Sequence, residues 1–175
     1  MLRMKRAKTH LTNKKINIQN LERHVSSWKS EGLSICFTNG CFDLLHVGHV
    51  TYLNEAAKYA DILLVGVNSD RSVKALEKSP ERPINVEDSR AKVVAGLESV
   101  DYVVIFDEDT PEALIKKLNP NVLVKGGDYD PNETNAAHPK YIVGRDTVLK
   151  NGGLVKIIEF VEGFSTTSLV NKMKR

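Results

Sequence analysis

Cysteine is nearly missing from this chain. Cys36 and Cys41 are the only two, too few for a disulfide framework, so a reducing compartment, the cytoplasm by default, is the expected setting. Long apolar runs are missing as well: no stretch approaches the roughly 20 residues that a membrane-crossing helix needs, and residues 1–15 lack the apolar core of a secretory signal. Those first positions also lack any acid, while Arg3, Lys5, Arg6, Lys8, Lys14 and Lys15 place six positive charges there. The remainder holds 19 basic residues against 22 acidic ones, so the overall charge of +3 belongs to the leader. A nucleic-acid-binding domain carries its basic residues on the fold itself, and no nucleic-acid partner is expected. Residues 1–17 read as a basic, disordered leader, and residues 18–175 as one domain large enough to bury a core. Two common phosphate-binding motifs are absent, the Gly-x-x-x-x-Gly-Lys-[Ser/Thr] loop and the Gly-x-Gly-x-x-Gly turn, which excludes the P-loop and dinucleotide enzymes they define. No Ser/His/Asp arrangement surrounds a glycine-flanked nucleophile.

What is present alternates. Ile18, Leu21, Val25 and Trp28 recur at helical spacing before Gly32. A strand at Ser34–Phe37 is followed by the turn formers Thr38-Asn39-Gly40, and then by a helix from about Gly48 to Tyr59. The unbroken apolar run Ile62–Val67 reads as a strand buried on both faces. Asn85 can cap a helix reaching Leu97. Tyr102–Phe106 is a third strand, and Thr110-Pro111 opens another helix. A fourth strand, Val122–Val124, ends at Lys125-Gly126-Gly127-Asp128. A helix over Tyr141–Lys150, a fifth strand Leu154–Ile158 and a last helix from Thr167 complete the pattern. Such alternation predicts an α/β, Rossmann-like, doubly wound domain whose five-stranded parallel sheet has the order 3-2-1-4-5.

In that order the strand direction of winding reverses between the first and fourth strands, where open α/β sheets bind ligands. The segments 38–43 and 125–128 then face each other across one crevice. Between the first strand and its helix lie His46-Val47-Gly48-His49. Residues three apart share one side of a helical turn, and a helix start favours anions. Two imidazoles there can donate to phosphoryl oxygens as charge develops, and Gly48 leaves room for a phosphate. Zinc on Cys41, His46 and His49, with Cys36, is disfavoured because a strand and the helix after it seldom converge tetrahedrally and the paired Cys-x-x-Cys spacing is missing.

The run Thr38-Asn39-Gly40-Cys41-Phe42-Asp43-Leu44-Leu45-His46-Val47-Gly48-His49 resembles the signature of the cytidylyltransferase-like nucleotidyltransferases. More narrowly it is similar to the adenylyltransferase part of the ADP-heptose synthases. The likeness continues through Val67-Asn68-Ser69-Asp70, Glu81-Arg82-Pro83-Ile84-Asn85, residues 100–106, Val124-Lys125-Gly126-Gly127-Asp128-Tyr129 and Val161-Glu162-Gly163-Phe164-Ser165-Thr166-Thr167-Ser168. The resemblance implies transfer of AMP from ATP to a sugar 1-phosphate, foremost D-glycero-D-manno-heptose 1-phosphate, for lipopolysaccharide core or surface-glycan synthesis. His46, His49 and Lys125 would be catalytic. Thr38, Asn39, Gly40, Cys41, Phe42, Gly48, Arg90, Gly126, Gly163, Ser165, Thr166 and Thr167 would bind nucleotide. Asp43, Arg82, Gly127 and Asp128 would serve the sugar substrate, and Mg2+ would ride mainly on substrate phosphates with no protein metal site. Arg71 and Lys74 fall on a loop near the phosphates.

Two departures from the family pattern bear on specificity. Phe160-Val161 stand where glycerol-phosphate relatives carry an arginine, and the segment Asp130–Arg145 is longer than the family expectation. The bifunctional relatives fuse a sugar kinase ahead of this domain, whereas about 30 residues precede the first strand here. The expectation is therefore a separate heptose kinase acting upstream, with a homodimer suggested by the resemblance. Two other readings stay open: a CTP-dependent cytidylyltransferase for a small phosphorylated alcohol, and a non-catalytic nucleotide-binding regulatory module.

Overall fold

A computed structural model describes residues 11–76, 81–159, 161 and 163–173. In chain order the elements are α1 (Leu11–Lys14), β1 (Lys15–Ile16), α2 (Leu21–Ser30), β2 (Ile35–Gly40), α3 (Val47–Ala56), β3 (Ile62–Asn68), α4 (Asp70–Ala75) and α5 (Glu87–Ala95). They continue with β4 (Tyr102–Phe106), α6 (Glu112–Leu118), β5 (Val122–Gly126), α7 (Arg145–Lys150), β6 (Leu154–Ile158) and α8 (Thr166–Met173). Short 3-10 turns precede α2 at Ile18–Asn20 and follow α3 at Ala57–Tyr59.

The sheet is parallel throughout, as the alternation requires, but it has six strands in the order β1-β4-β3-β2-β5-β6 instead of five. The added strand comes from the segment expected to be a disordered leader. Lys15 and Ile16 pair with Val103 and Val104, and Ile16 is buried. The Lys14 ammonium donates to the carbonyls of Leu97 and Val100, and Lys15 pairs with Asp88. A run of positive charge hid two strand residues whose partners lie some 88 positions away. Residues 11–17 of the expected leader thus carry α1 and β1, and residues 1–10 lie outside the described ones.

Apolar side chains cover the sheet on both faces. On one, Leu21, Val25 and Trp28 of α2 pack with Ile115 and Leu118 of α6 and Val148 of α7 over Phe37 and Leu123. On the other, Leu53 and Ala56 of α3 pack with Ala91, Val94 and Ala95 of α5 over Cys36 and Val65. Every residue of β3 is buried, the pattern of a central parallel strand. Each fully buried Leu, Ile or Phe contributes on the order of 1.5–3 kcal/mol through its removal from water.

Local differences from the sequence reading sit mostly at the ligand end of the sheet. Thr38-Asn39-Gly40 are not a turn but the last residues of β2, paired with Val65, Gly66 and Val67. Arg71 and Lys74 lie on α4, not on a loop. Asn85 does not cap α5, whose N-cap position is Val86. The helix expected from Tyr141 begins at Arg145, because Gly144 at φ 85 takes the left-handed conformation and a side chain there would strike Ile115.

Candidate active site

β2 pairs with β3 on one side and β5 on the other, so the chain's winding reverses there and a crevice opens beyond their carboxyl ends. From β2 the chain passes Cys41 and Phe42, the latter at φ 48, and enters α3. His46 is the N-cap residue, in extended conformation, and its carbonyl accepts from the amides of His49 (2.9 Å) and Val50 (3.2 Å). That turn brings the two imidazoles into a stack, centroids 3.9 Å apart and planes 27° from parallel. The Phe42 ring leans on His49 at 5.4 Å.

Gly48 has a reason that its spacing alone did not reveal. A Cβ there would sit 3.0 Å from Cε1 and Nδ1 of His46, so the glycine makes room for the imidazole itself. Gly48→Ala should push the His46 ring out of the stack. We expect turnover to fall at least about 10-fold, part of the loss seen when a donor to developing charge is removed, with only a small change in melting temperature. Steady-state kinetics beside a thermal melt check this, and unchanged turnover would refute it.

Both Nδ1 atoms are buried and have no hydrogen-bond partner among the described residues. Buried donors and acceptors are rarely left so, which makes this pair a candidate ligand contact. Burial pulls the His49 pKa down to about 4, the neighbouring His46 and then Arg82 adding to the effect while the Leu44 carbonyl opposes it. Burial also lowers His46. At neutral pH both rings are therefore neutral, each with one N–H donor and one acceptor nitrogen. The unfolded chain binds the proton that the folded chain refuses, so His49 contributes stability that is complete above about pH 6.5 and is lost as pH falls toward about 4. Wild-type melting temperature should therefore drop more steeply over that window than that of His49→Gln. Parallel curves would show that His49 takes up its proton as readily folded as unfolded.

Across the crevice, Lys125 near the end of β5 is buried, its ammonium donating to Asn39 Oδ1 (2.5 Å) and lying 5.3 Å from the Tyr129 ring centre. Gly126 is buried beside it, Asp128 is exposed, and Gly127 leaves space that Glu159 occupies, since a Cβ would meet its carboxylate at 2.5 Å. Thr38 is buried and bonds the Tyr52 hydroxyl (2.7 Å), whose pKa burial raises. The third side is the start of α8. Gly163 turns at φ 79, a side chain added at Gly48 would meet the Phe164 Cβ at 3.7 Å, and Ser165 Oγ accepts from the Ser168 amide (3.0 Å) as a helix cap. Thr166 opens the helix, while the side chain of Thr167 lies outside the described residues.

Other expected contacts turn inward. Asp43 is wholly enclosed and accepts from the amides of Ile84 (2.9 Å) and Asn85 (3.0 Å) and from Arg82 Nε (3.1 Å), while Asn85 Nδ2 donates to its carbonyl. Burial pushes the carboxyl pKa up, but those amides and Arg82 outweigh it, and the net direction is down. Asp43 and Arg82 thus tie the 82–85 segment to the start of the site. Arg90 is buried, with Nε donating to the Asn85 carbonyl (2.8 Å), Nη1 to the Cys41 carbonyl (2.6 Å) and Nη2 to Asp70 (2.7 Å). All three nitrogens serve the chain itself. Arg71 is exposed and paired with Asp107 and Asp109. Neither the Arg90 braces nor the Tyr52–Thr38 bond carries a spacing signal, because their partners are separated in sequence by up to 49 residues.

A model of the family described as cytidylyltransferase-like matches residues 37–171. The chain is 50% identical over 159 residues to the bifunctional protein HldE of Geobacter metallireducens, covering 91% of this chain and 31% of that one. It is 51% identical over 152 residues to the bifunctional protein HldE of Nitrobacter winogradskyi, covering 87% and 29%. The chain thus spans about 30% of the length of the curated relatives it matches. Among solved structures, a lipopolysaccharide core biosynthesis protein from Thermoplasma volcanium is similar at a TM-score of 0.57 and 28% identity, over 74% of this chain and 98% of that one. A pantoate-beta-alanine ligase from Francisella tularensis shares the fold at a TM-score of 0.53 and 13% identity, over 91% of this chain and 77% of that one. The chain belongs to the cytidylyltransferase-like family, and with it to the nucleotidyltransferase enzymes.

Proposed function

We propose that this enzyme transfers AMP from ATP to a sugar 1-phosphate, D-glycero-D-manno-heptose 1-phosphate before others, releasing pyrophosphate and forming ADP-heptose for lipopolysaccharide core or surface-glycan synthesis. One observation carries the reading. The stacked pair His46 and His49 holds two buried, unpartnered Nδ1 atoms at the start of α3, with the Lys125 ammonium on the other side of the same crevice. The choice of sugar rests on the sequence resemblance to the ADP-heptose synthases, and it is in keeping with the HldE proteins that match nearly all of this chain and with the similar lipopolysaccharide core biosynthesis protein.

In this reading a phosphate oxygen of the sugar attacks the α-phosphorus of ATP while the bond to the β-phosphate oxygen breaks in line, with no covalent enzyme intermediate. Little bond chemistry is left for the protein, which contributes position and charge. The neutral imidazoles donate to phosphoryl oxygens, Lys125 meets the charge gathering on the α-phosphate, and Ser165, Thr166 and Thr167 at the start of α8 receive the remaining phosphates. Among the described residues no three His, Cys, Asp or Glu side chains converge as a metal cage, and Asp43 is already bound to its own chain, so Mg2+ fits as a companion of the triphosphate. When bound it would neutralise phosphate charge. Asp128 is the exposed carboxylate at the end of β5 and is offered to the sugar hydroxyls.

A kinase reaction must supply the sugar 1-phosphate, and a homodimer and a cytoplasmic setting belong to the same reading. No helix among the described residues is long and apolar enough to cross a membrane. Pyrophosphate release measured with ATP, CTP and GTP against heptose 1-phosphate tests it: ATP should be strongly preferred. A preference for CTP with a small phosphorylated alcohol would overturn the assignment. ATP binding without pyrophosphate release from any sugar phosphate would instead identify a regulatory module.

A further inference from the structure

Asn39 and Lys125 occupy matching places on the two strands that flank the crevice. The last paired residues of β2 and β5 are Phe37 and Leu123, and Asn39 and Lys125 each follow two positions later, on the same face of the sheet. There the side-chain amide oxygen accepts from the ammonium at 2.5 Å. Asn39 is itself held from behind. Its β3 neighbour is Gly66, and a Cβ on that glycine would stand 3.2 Å from the Asn39 Cβ, so the asparagine stem is seated where the glycine leaves room. On its far side the ammonium lies 5.3 Å from the Tyr129 ring centre, within cation–π range. Both groups help to set the direction of a flexible four-carbon side chain, and neither the Asn39 amide nor the Tyr129 ring carries a charge.

We propose that Asn39 is a positioning residue that aims the Lys125 ammonium at the transferred phosphate, and that its neutrality is the functional requirement. An aspartate in the same place would have nearly the same shape and make a stronger, charge-assisted bond. It would also cancel the positive charge that the phosphate is meant to meet, and set a carboxylate beside an anion. A residue needed only to brace the fold should tolerate Asn39→Asp well. One needed to present a charge should not. The proposal rests on the nucleotidyl-transfer reading for its turnover consequence, while its binding consequence needs only an anion at the ammonium.

Three variants, Asn39→Asp, Asn39→Ala and Lys125→Met, separate the possibilities, with thermal melts to establish folding. In pyrophosphate-release assays Asn39→Asp should lose about as much kcat as Lys125→Met, on the order of 10²-fold, and Asn39→Ala about 10-fold. Adding Asn39→Ala to Lys125→Met should cost little more, since a residue that acts through another has nothing left to act on. Calorimetric titration with inorganic pyrophosphate and with adenosine keeps the test independent of turnover. Asn39→Asp and Lys125→Met should both weaken pyrophosphate at least about 10-fold and leave adenosine unchanged. Wild-type-like pyrophosphate affinity in a folded Asn39→Asp protein overturns the proposal, and so does full additivity in the double variant. A wild-type protein with no turnover on any sugar phosphate, whose pyrophosphate binding Asn39→Asp still weakens, would count against the reaction assigned above and not against this geometry.

Discussion

His49→Ala should lower turnover by roughly 10²-fold or more, the scale set by removing one donor to charge that develops in the transition state, while ATP affinity should change much less. The expectation follows from placement. The His49 ring is stacked on His46, backed by Phe42 and largely withdrawn from water, and its pKa near 4 keeps it neutral in the working range. It offers a hydrogen bond without the strong hydration that a free imidazolium would have to shed. A donor fixed in advance needs no reorganisation as charge builds, and its removal is felt in kcat more than in ground-state binding. The measurement is kcat from pyrophosphate release beside ATP affinity from calorimetry. Equal losses in both would make His49 a binding group and nothing more. Because His46 would lose its stacking partner in the same variant, His49→Phe is the companion that retains an aromatic face without the N–H.

Arg90→Met should destabilise the fold by about 3–5 kcal/mol, the usual consequence of breaking a buried charged pair by removing one partner. The guanidinium joins three segments that meet behind the site: the Cys41 carbonyl after β2, the Asn85 carbonyl before α5, and Asp70 at the start of α4. Removing it leaves two carbonyls without this donor. Lysine cannot reach three directions with one nitrogen, so Arg90→Lys should recover only part of the loss. Urea unfolding measures the effect, and a change under about 1 kcal/mol, within the range of ordinary surface substitutions, would show that the brace is not needed. Unchanged stability with weakened ATP binding would return Arg90 to the nucleotide-contacting role that the family resemblance implies for it.

The parts of this molecule that could be read from the sequence are those whose signal is local. β3 announces itself because Ile62 to Val67 are apolar without interruption, and β6 lies where Leu154 to Ile158 predict it. That residues 38–43 and 125–128 come together followed from strand alternation, since β2 and β5 are neighbours in the sheet and Lys125 reaches Asn39. The illegible parts are those decided by distant partners. Lys15 and Ile16 look like the end of a charged tail until Val103 and Val104 are brought beside them. The bonds of Arg90 to Cys41 and Asp70 join residues 49 and 20 positions away, which no spacing announces. Gly48 was read as clearance for a phosphate, but the nearest obstacle is the ring two residues before it. In each case the sequence identified an unusual residue, and packing decided which neighbour it answers to.

The two borders of the sheet differ in kind. At one, β1 is only two residues long and sits over the middle of β4. At the other, β6 presents five residues that bond β5 on one side only among the described residues, with Leu154 and Lys156 exposed. An open strand is a template for joining another chain, and a lysine on it discourages that. The two described borders therefore differ in length and in the backbone groups they present. Of the two borders, β6 alone offers a run long enough to pair with a second strand, and two copies joined there would meet about a two-fold axis, a closed arrangement.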